Sequence, residues 1–331
     1  MDLSTTYLGL KLPHPFMPGA SPLADDLDTV KRLEDAGAAA IVMRSLFEEQ
    51  IVREEIDTFI HTDLHGESFA EALCYFPSPD RFAMGPEEYL EQITRIKATV
   101  RVPVIASLNG TTRGGWLRYA RLVEQAGADA LELNVYSLAS DLEQTGQGLE
   151  EETVEMVRTV KRDVRIPVAV KLSPFYTSLA HFCRGLEDAR ADGLVLFNRL
   201  LQPDIEPEDM VVSRHLHLSN RSELPLRLRW LALLSGRVRP SLAVSGGVHD
   251  ARDAVKAVMA GAHAVQLVSA LVQRGVGHLK RVRSEFMAWM AEHEYHSLDQ
   301  LRGSMNFTAC PDPEVYERAN YMLMLQGGRR R

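Results

Sequence analysis

The strongest constraint on this chain is a junction that recurs four times, in which an amphipathic helix ends at a glycine and an apolar run of four to six residues begins at once. The copies are DAGAAAIVM around Gly37, QAGADALELN around Gly127, RADGLVLFN around Gly193 and MAGAHAVQLV around Gly261. Glycine suits the left-handed position that closes a helix. Near-continuous apolar strands, with no polar alternation, are strands covered on both faces, as in a parallel sheet. Two more strands enter from a proline, VPVIASLNG from Val102 and IPVAVKLSP from Ile166; proline at a strand's first position leaves the ladder intact. PFMPGAS near the start and SLAVSGG from Ser241 complete eight parallel candidates.

Helical patterns fill the intervals, at residues 24–36, 87–100, 116–126, 150–164, 178–191, 226–235, 251–260 and 271–292. Eight β/α units over about 250 residues predict a (β/α)8 TIM barrel, with a doubly wound sheet as the other arrangement. No linker divides the chain, so residues 1–331 are expected to form one domain: an N-terminal hairpin, a barrel core over about 13–294, and an extension over about 295–331 that caps the barrel or serves an oligomer contact. Two segments exceed ordinary loop length, 47–84 after the second strand and 200–225 after the sixth. Insertions after strands lie on the catalytic face of a barrel, where they build lids and substrate walls.

Composition narrows the partners. At 45% hydrophobic and 25% charged over 331 residues the chain has an ordinary globular interior, and a net charge of −8 offers no pull toward nucleic acid or anionic lipid. No apolar stretch approaches the roughly 20 residues of a membrane span, and the start at Met1 and Asp2 lacks a signal-peptide pattern, so a cytoplasmic protein with no membrane partner is expected. Cys74, Cys183 and Cys310 are far apart and form no CxxC pair. Redox chemistry would therefore have to come from a bound cofactor.

Polar residues at strand ends carry the chemical information, because a polar group there is desolvated and needs a partner. In order they are Ala20 and Ser21, Arg44 and Ser45, Ser107 and Asn109, Asn134, Lys171 and Ser173, Asn198 and Arg199, Ser245 to Gly247, and Ser269. The ring is rich in amides and cations. Its one carboxylate, Glu132, lies within a strand, which disfavours a metal hydrolase or a glycosidase. Gly246 and Gly247 before a helix, with Ser269 after the next strand, fit a phosphate site in which backbone N–H groups approach the anion; the other reading is a pair of glycines serving a tight turn. Lys171, at the end of strand five, suits a reduced flavin carrying negative charge near N1 and O2. A Schiff-base lysine on a phosphorylated sugar is the rival chemistry. A structural lysine paired with a carboxylate is the third reading, and no acidic strand-end partner is evident for it. His61 and His65, and His215 and His217 on one face of an insertion strand, lack a third metal ligand at strand-end spacing, so no metal is expected. Cys74 reads as an inert thiol or an alternative base. Asn109 and Arg199 read as substrate groups, or, for Arg199, as a solvated insertion residue.

The fragments HPFMPGAS at His14, SLNG at Ser107, ELNVYS at Glu132, VKLSP at Val170, LFNR at Leu196, LRWLALLSGRV at Leu228, YHSLDQLRG at Tyr295 and the ending PDPEVYERANYM resemble the dihydroorotate dehydrogenases of the soluble class, and more closely a divergent bacterial group like them. The resemblance covers nearly the whole chain. It implies an FMN-binding barrel, an oxidoreductase acting on a CH–CH bond, a small dihydropyrimidine-like acid as substrate and pyrimidine biosynthesis as the setting. By position it implies that Ala20 and Ser21, with Ser45 beside them, line the flavin and that Arg44 stands where the family has a lysine touching flavin and substrate. Asn134 and Asn198 become substrate amides, with Asn109 and Asn134 also near the cofactor, and Arg199 a further substrate group. Lys171 becomes the flavin lysine, and Gly246, Gly247 and Ser269 the phosphate grip, although Val268 replaces a glycine. Ser137 falls on the catalytic base, where soluble enzymes have cysteine. A soluble electron acceptor or a redox partner subunit is implied, and a homodimer is the expected assembly. A catalytically degenerate flavin-binding subunit is the remaining alternative. Leu138 and Ala139 stand where the family has Pro-Asn, and no Asn precedes Asn109, so two substrate amides are missing and dihydroorotate is expected to be a poor substrate.

Overall fold

The computed structural model describes residues 1–47, 85–110, 113–135, 139–199, 202–213 and 217–317. A short hairpin of β1 (Thr5–Tyr7) and β2 (Leu10–Leu12) precedes eight parallel strands: β3 (Phe16–Pro18), β4 (Ile41–Phe47), β5 (Val104–Gly110), β6 (Ala130–Val135), β7 (Val168–Leu172), β8 (Gly193–Leu196), β11 (Ser241–Ser245) and β12 (Ala264–Leu267). A second hairpin, β9 (Asp204–Glu206) with β10 (Val211–Ser213), lies in the insertion after β8. The parallel strands run β3-β12-β11-β8-β7-β6-β5-β4, and Ala39 N–H donating to Phe16 O at 2.9 Å ties β3 to the entry of β4, so the sheet closes into the expected TIM barrel.

Helices follow the strands on the outside: α1 (Leu27–Asp35), α2 (Pro86–Thr99), α3 (Arg113–Gln125), α4 (Gly146–Asp163), α5 (Leu179–Asp188), α6 (Leu224–Leu234), α7 (Ala251–Ala260), α8 (Ser269–Arg274) and α9 (His278–Glu292). The pattern over 271–292 reads as one helix, but the chain breaks it at Gly275 and Gly277 into α8 and α9, Gly275 standing at a positive φ of 80° that ends the first piece. Three of the four recurring junctions also share a device. The polar residue that opens the new strand pins the start of its neighbour: Asp129 accepts from Val104 N at 2.7 Å, Asp192 from Val168 N at 2.7 Å, and His263 Nδ1 from Leu242 N at 3.1 Å. Lys97 and Lys161, each from a helix, neutralise the two aspartates.

The barrel interior is layered. At the N-terminal end the inward residues are small or medium, with Ala130, Ala169, Ala243 and Ala264 beside Val42, Ile105 and Val195. The hairpin fills that space with Tyr7, Leu8 and Leu12. Gly193 is glycine because a Cβ there would lie 2.4 Å from Leu8 Cδ2. The extension closes the same end: Asp2 bridges to Ser297, α10 (Leu298–Leu301) follows, and Gly303 N, Met305 N and Phe307 N donate to Val258 O, Met259 O and Ala232 O. A short helix, α11 (Glu314–Glu317), ends the described chain. With one end plugged, polar inward residues concentrate toward the C-terminal ends of the strands.

Candidate active site

One step up from the alanine layer, the inward side chains become polar. Register places Ser107 beside Glu132, Asn109 beside Asn134, Asn134 beside Lys171, and Ser245 beside Gln266. The backbone of β4 carries a bulge: Val42 faces Ile105 and Ser45 faces Ser107, so Met43 and Arg44 together oppose Ala106. The bulge turns Ser45 to the interior, where its Oγ lies 2.8 Å from Ser107 Oγ and accepts from Asn134 Nδ2 at 3.4 Å. Tyr89, from α2, clamps the bulge by accepting from Ser107 N at 2.8 Å and reaching the carbonyls of Arg44 and Ser107.

Lys171 has the carboxylate partner that the sequence did not reveal. Its Nζ lies 3.2 Å from Glu132 Oε1, with Glu132 0% and the Lys171 side chain 6% exposed. The expectation that Lys171 lacks an acidic neighbour is thus corrected, because residues 132 and 134 point to the same face of β6 and Glu132 stands one layer below Asn134, within reach of the next strand. The other carboxylate oxygen accepts from Gln266 Nε2 at 2.7 Å, across the barrel on β12. A buried carboxylate needs such donors. Lys171 remains the same strand-end cation, and among the described residues the ion pair occupies one of its three hydrogens.

Two acceptors in this network are left over. Asn134 Oδ1 and Gln266 Oε1 are buried and have no hydrogen-bond partner among the described residues. Buried amide oxygens of this kind are rarely left unmatched unless something else satisfies them. An amide-bearing ring system supplies an N–H for such an acceptor and a carbonyl for the ammonium, and the isoalloxazine of a flavin has both on one edge.

The glycine pair after β11 forms a second cluster. Gly246 and Gly247 have φ of +83° and +79°, and a Cβ on Gly247 would lie 2.8 Å from Leu224 N. Ser269, opening α8, is 2.8 Å from Ser219 Oγ, which in turn accepts from Gly247 N at 3.2 Å; Ser219 N donates to Ser269 Oγ at 2.9 Å. His249 Nε2 donates to Ser219 O at 2.8 Å. Ser219 is a residue that sequence reasoning missed. It ends the insertion after β8 and reaches the turns only through the tertiary fold, so no local signal marks it. Arg227, likewise missed, is buried behind the turn and donates to Ser245 O at 2.6 Å; its own hydration is lost to burial, which depresses its pKa. Gln266 had a readable sign, a single amide in the buried run AVQL.

Other candidates scatter. Arg44 pairs with Asp25 at 3.1 Å, and burial raises that carboxyl's pKa against the opposing pull of the arginine. Ser21 is buried and donates to Gly19 O at 3.0 Å, and Ala20 is half-buried beside it. Asn109 ends β5 half-buried, and Asn198 follows β8 with its N–H on Leu172 O. Arg199 is half-buried and pairs with Glu223 at 2.6 Å, and Glu223 also faces Arg227 at 3.5 Å. Burial opposes ionisation of Glu223, but these arginines and Asn220 N–H hold its pKa below the usual range. Ser137, Cys74, His61, His65 and His215 lie outside the described residues. His217 stands in irregular backbone, while residues 214–216 of the expected insertion strand lie outside the described residues; the hairpin β9–β10 precedes them. Cys183 is buried, which pushes its thiol up to about 12.

The sequence matches the profile of the dihydroorotate dehydrogenase family over residues 82–290. The chain belongs to that family. It is 28% identical to the dihydroorotate dehydrogenase B (NAD(+)) catalytic subunit of Thermoplasma volcanium, over 91% of this chain and 98% of the relative. It is 24% identical to an NAD-dependent dihydropyrimidine dehydrogenase subunit of Escherichia coli K12, over 96% and 82% respectively. The chloroplastic dihydropyrimidine dehydrogenase (NADP(+)) of Arabidopsis thaliana is 23% identical over 91% and 76%. The family member described here is an oxidoreductase, a dehydrogenase acting on CH–CH groups. Among its described residues no helix is long and apolar enough to cross a membrane.

Proposed function

We propose that this protein binds FMN at the C-terminal mouth of the barrel and oxidises the CH–CH bond of a small dihydropyrimidine-like acid or a close relative of one. The observation that carries the reading is the Lys171–Glu132–Gln266 network, with its spare ammonium hydrogens and two unmatched amide oxygens. FMN, when bound, would supply the hydride acceptor. Lys171 would hold the pyrimidine edge of the ring and counter the charge of its reduced form, while Gly246, Gly247, Ser269 and Ser219 would take the phosphate through backbone and hydroxyl donors. Ala20, Ser21 and Ser45 would line the ring. Asn134, Asn198 and Asn109 would orient the substrate, with Arg44 and Arg199 at its anionic edge, and Ser137 would take the proton from carbon.

The ion pair with Glu132 holds Lys171 as a fixed cation, a role that the flavin reading uses and the rival Schiff-base chemistry does not. Relatives named as a catalytic subunit and as a dehydrogenase subunit support a redox partner subunit, and on the same reading the protein is cytoplasmic and a homodimer. Release of the bound ligand by denaturation, followed by its identification, tests the cofactor: FMN at one per chain is expected, and FAD, or no flavin after reconstitution, overturns the reading. Anaerobic bleaching by a panel of dihydropyrimidines then separates a working enzyme from a degenerate flavin-binding subunit.

A further inference from the structure

Glu132 has no place in the scheme above beyond its contact with Lys171. Its carboxylate is fully buried, at the centre of the barrel, and is anchored from two sides: Lys171 on the adjacent strand β7 at 3.2 Å and Gln266 on β12, four strands round the barrel, at 2.7 Å. Beneath it the plug hairpin presents the buried Tyr7 phenol, and Tyr89 stands behind β4 and β5; burial, with the Glu132 charge adding to it, disfavours ionisation of Tyr7. A charge held by both walls of a barrel cannot swing away, and a closed low-dielectric interior transmits its field undiminished by solvent.

We propose that Glu132 is a positioning residue that sets the reduction potential of the bound flavin, holding Lys171 in place and cancelling much of its charge. The inference rests on the FMN reading above. An isolated ammonium beside the flavin favours the reduced, anionic ring and pulls the potential up. An ammonium hydrogen-bonded to a carboxylate is close to a neutral pair, so the flavin stays harder to reduce and passes its electrons on more readily. Gln266 shares the carboxylate's charge, and so weakens that cancellation in part.

Glu132→Gln keeps the shape and an acceptor for Lys171, and turning the Gln266 amide over brings its unmatched Oε1 to the new N–H. The variant loses a charge and, with the amide turned, the Gln266 Oε1 acceptor that the flavin reading uses, so flavin content is the control for that second change. Flavin content is read first from the absorption spectrum of the FMN-loaded proteins, and the potential by anaerobic equilibration with dyes of known potential. Glu132→Gln is expected to shift the two-electron equilibrium toward reduced flavin by about tenfold or more, about 30 mV upward for each tenfold. Gln266→Met, which strips the neutral donor and leaves the carboxylate less compensated, is expected to shift it the other way. A residue that only supports the fold would not produce opposite signs in two correctly loaded variants. An unchanged or lowered potential in fully loaded Glu132→Gln overturns the proposal and leaves the FMN reading intact. If that variant does not fold, an unchanged or raised potential in Gln266→Met overturns it. A wild-type chain that takes up no FMN overturns both.

Discussion

Replacing Lys171 by methionine leaves the Glu132 carboxylate fully buried with Gln266 as its remaining donor. At 3.2 Å and an effective dielectric of about 20, the lost attraction is of order 5 kcal/mol. Removing one member of a buried pair typically destabilises by about 3–5 kcal/mol, because the remaining charge stays desolvated, while replacing both members is often neutral. Lys171→Met should therefore cost about 3–5 kcal/mol, and Lys171→Met combined with Glu132→Gln should recover at least 2 kcal/mol of it. Urea unfolding of flavin-free protein is the assay, since a ligand bound only by the folded state would mask the difference. If the single and double variants unfold at the same midpoint with the same slope, the pair is not coupled and the Glu132 network described here is wrong.

Acid should weaken the fold through two buried histidines. Burial, with Arg283 beside His14 and Arg302 near His263, lowers both imidazoles from 6.5 to about 4. A base whose pKa is depressed by folding contributes stability that is intact above pH 6.5, lost as pH falls from there, and level again below about 4. At pH 5 the loss is about 2 kcal/mol for each histidine, so chemical denaturation at pH 7 and pH 5 should differ by several kcal/mol, and equal midpoints would refute the neutral, buried assignment. Gly247→Ala forces a Cβ to 2.8 Å from Leu224 N at a φ of +79°. It should cost about 1–3 kcal/mol and weaken FMN binding at least tenfold, and titration with FMN giving wild-type affinity would remove the turn from the phosphate site. Ser137→Ala should abolish anaerobic flavin reduction by dihydroorotate, and Ser137→Cys should speed it at neutral pH because a thiolate forms more readily than an alkoxide; wild-type rates in Ser137→Ala would show that another group takes the proton.

Most of the barrel was legible because its signals are local. A helix that stops at Gly37, Gly127 or Gly261 declares itself in a few residues, through a left-handed backbone position followed by an unbroken apolar strand. The break between α8 and α9 was local too, at Gly275 and Gly277, but apolar periodicity on both sides of it outweighed two glycines. The inward side chains were harder, and for a different reason. Glu132 and Gln266 are 134 residues apart and meet only because the barrel closes, so no spacing rule links them. Ser219 joins Gly247 and Ser269 only because the insertion after β8 folds back over two turns. Lys171 shows how the two kinds of information combine. Its place at a strand end could be read from VKLSP, but its chemistry depends on whether an acid stands one layer below on the next strand, and that depends on register. The period of two along β6 already put Glu132 on the same face as Asn134. Reading that face as a column, rather than reading only the strand's last residue, would have placed the carboxylate under the lysine. In a barrel whose lower end is filled by alanines and a plug, any charged residue on an inward column above them has to find its partner in the same layer or in the ligand.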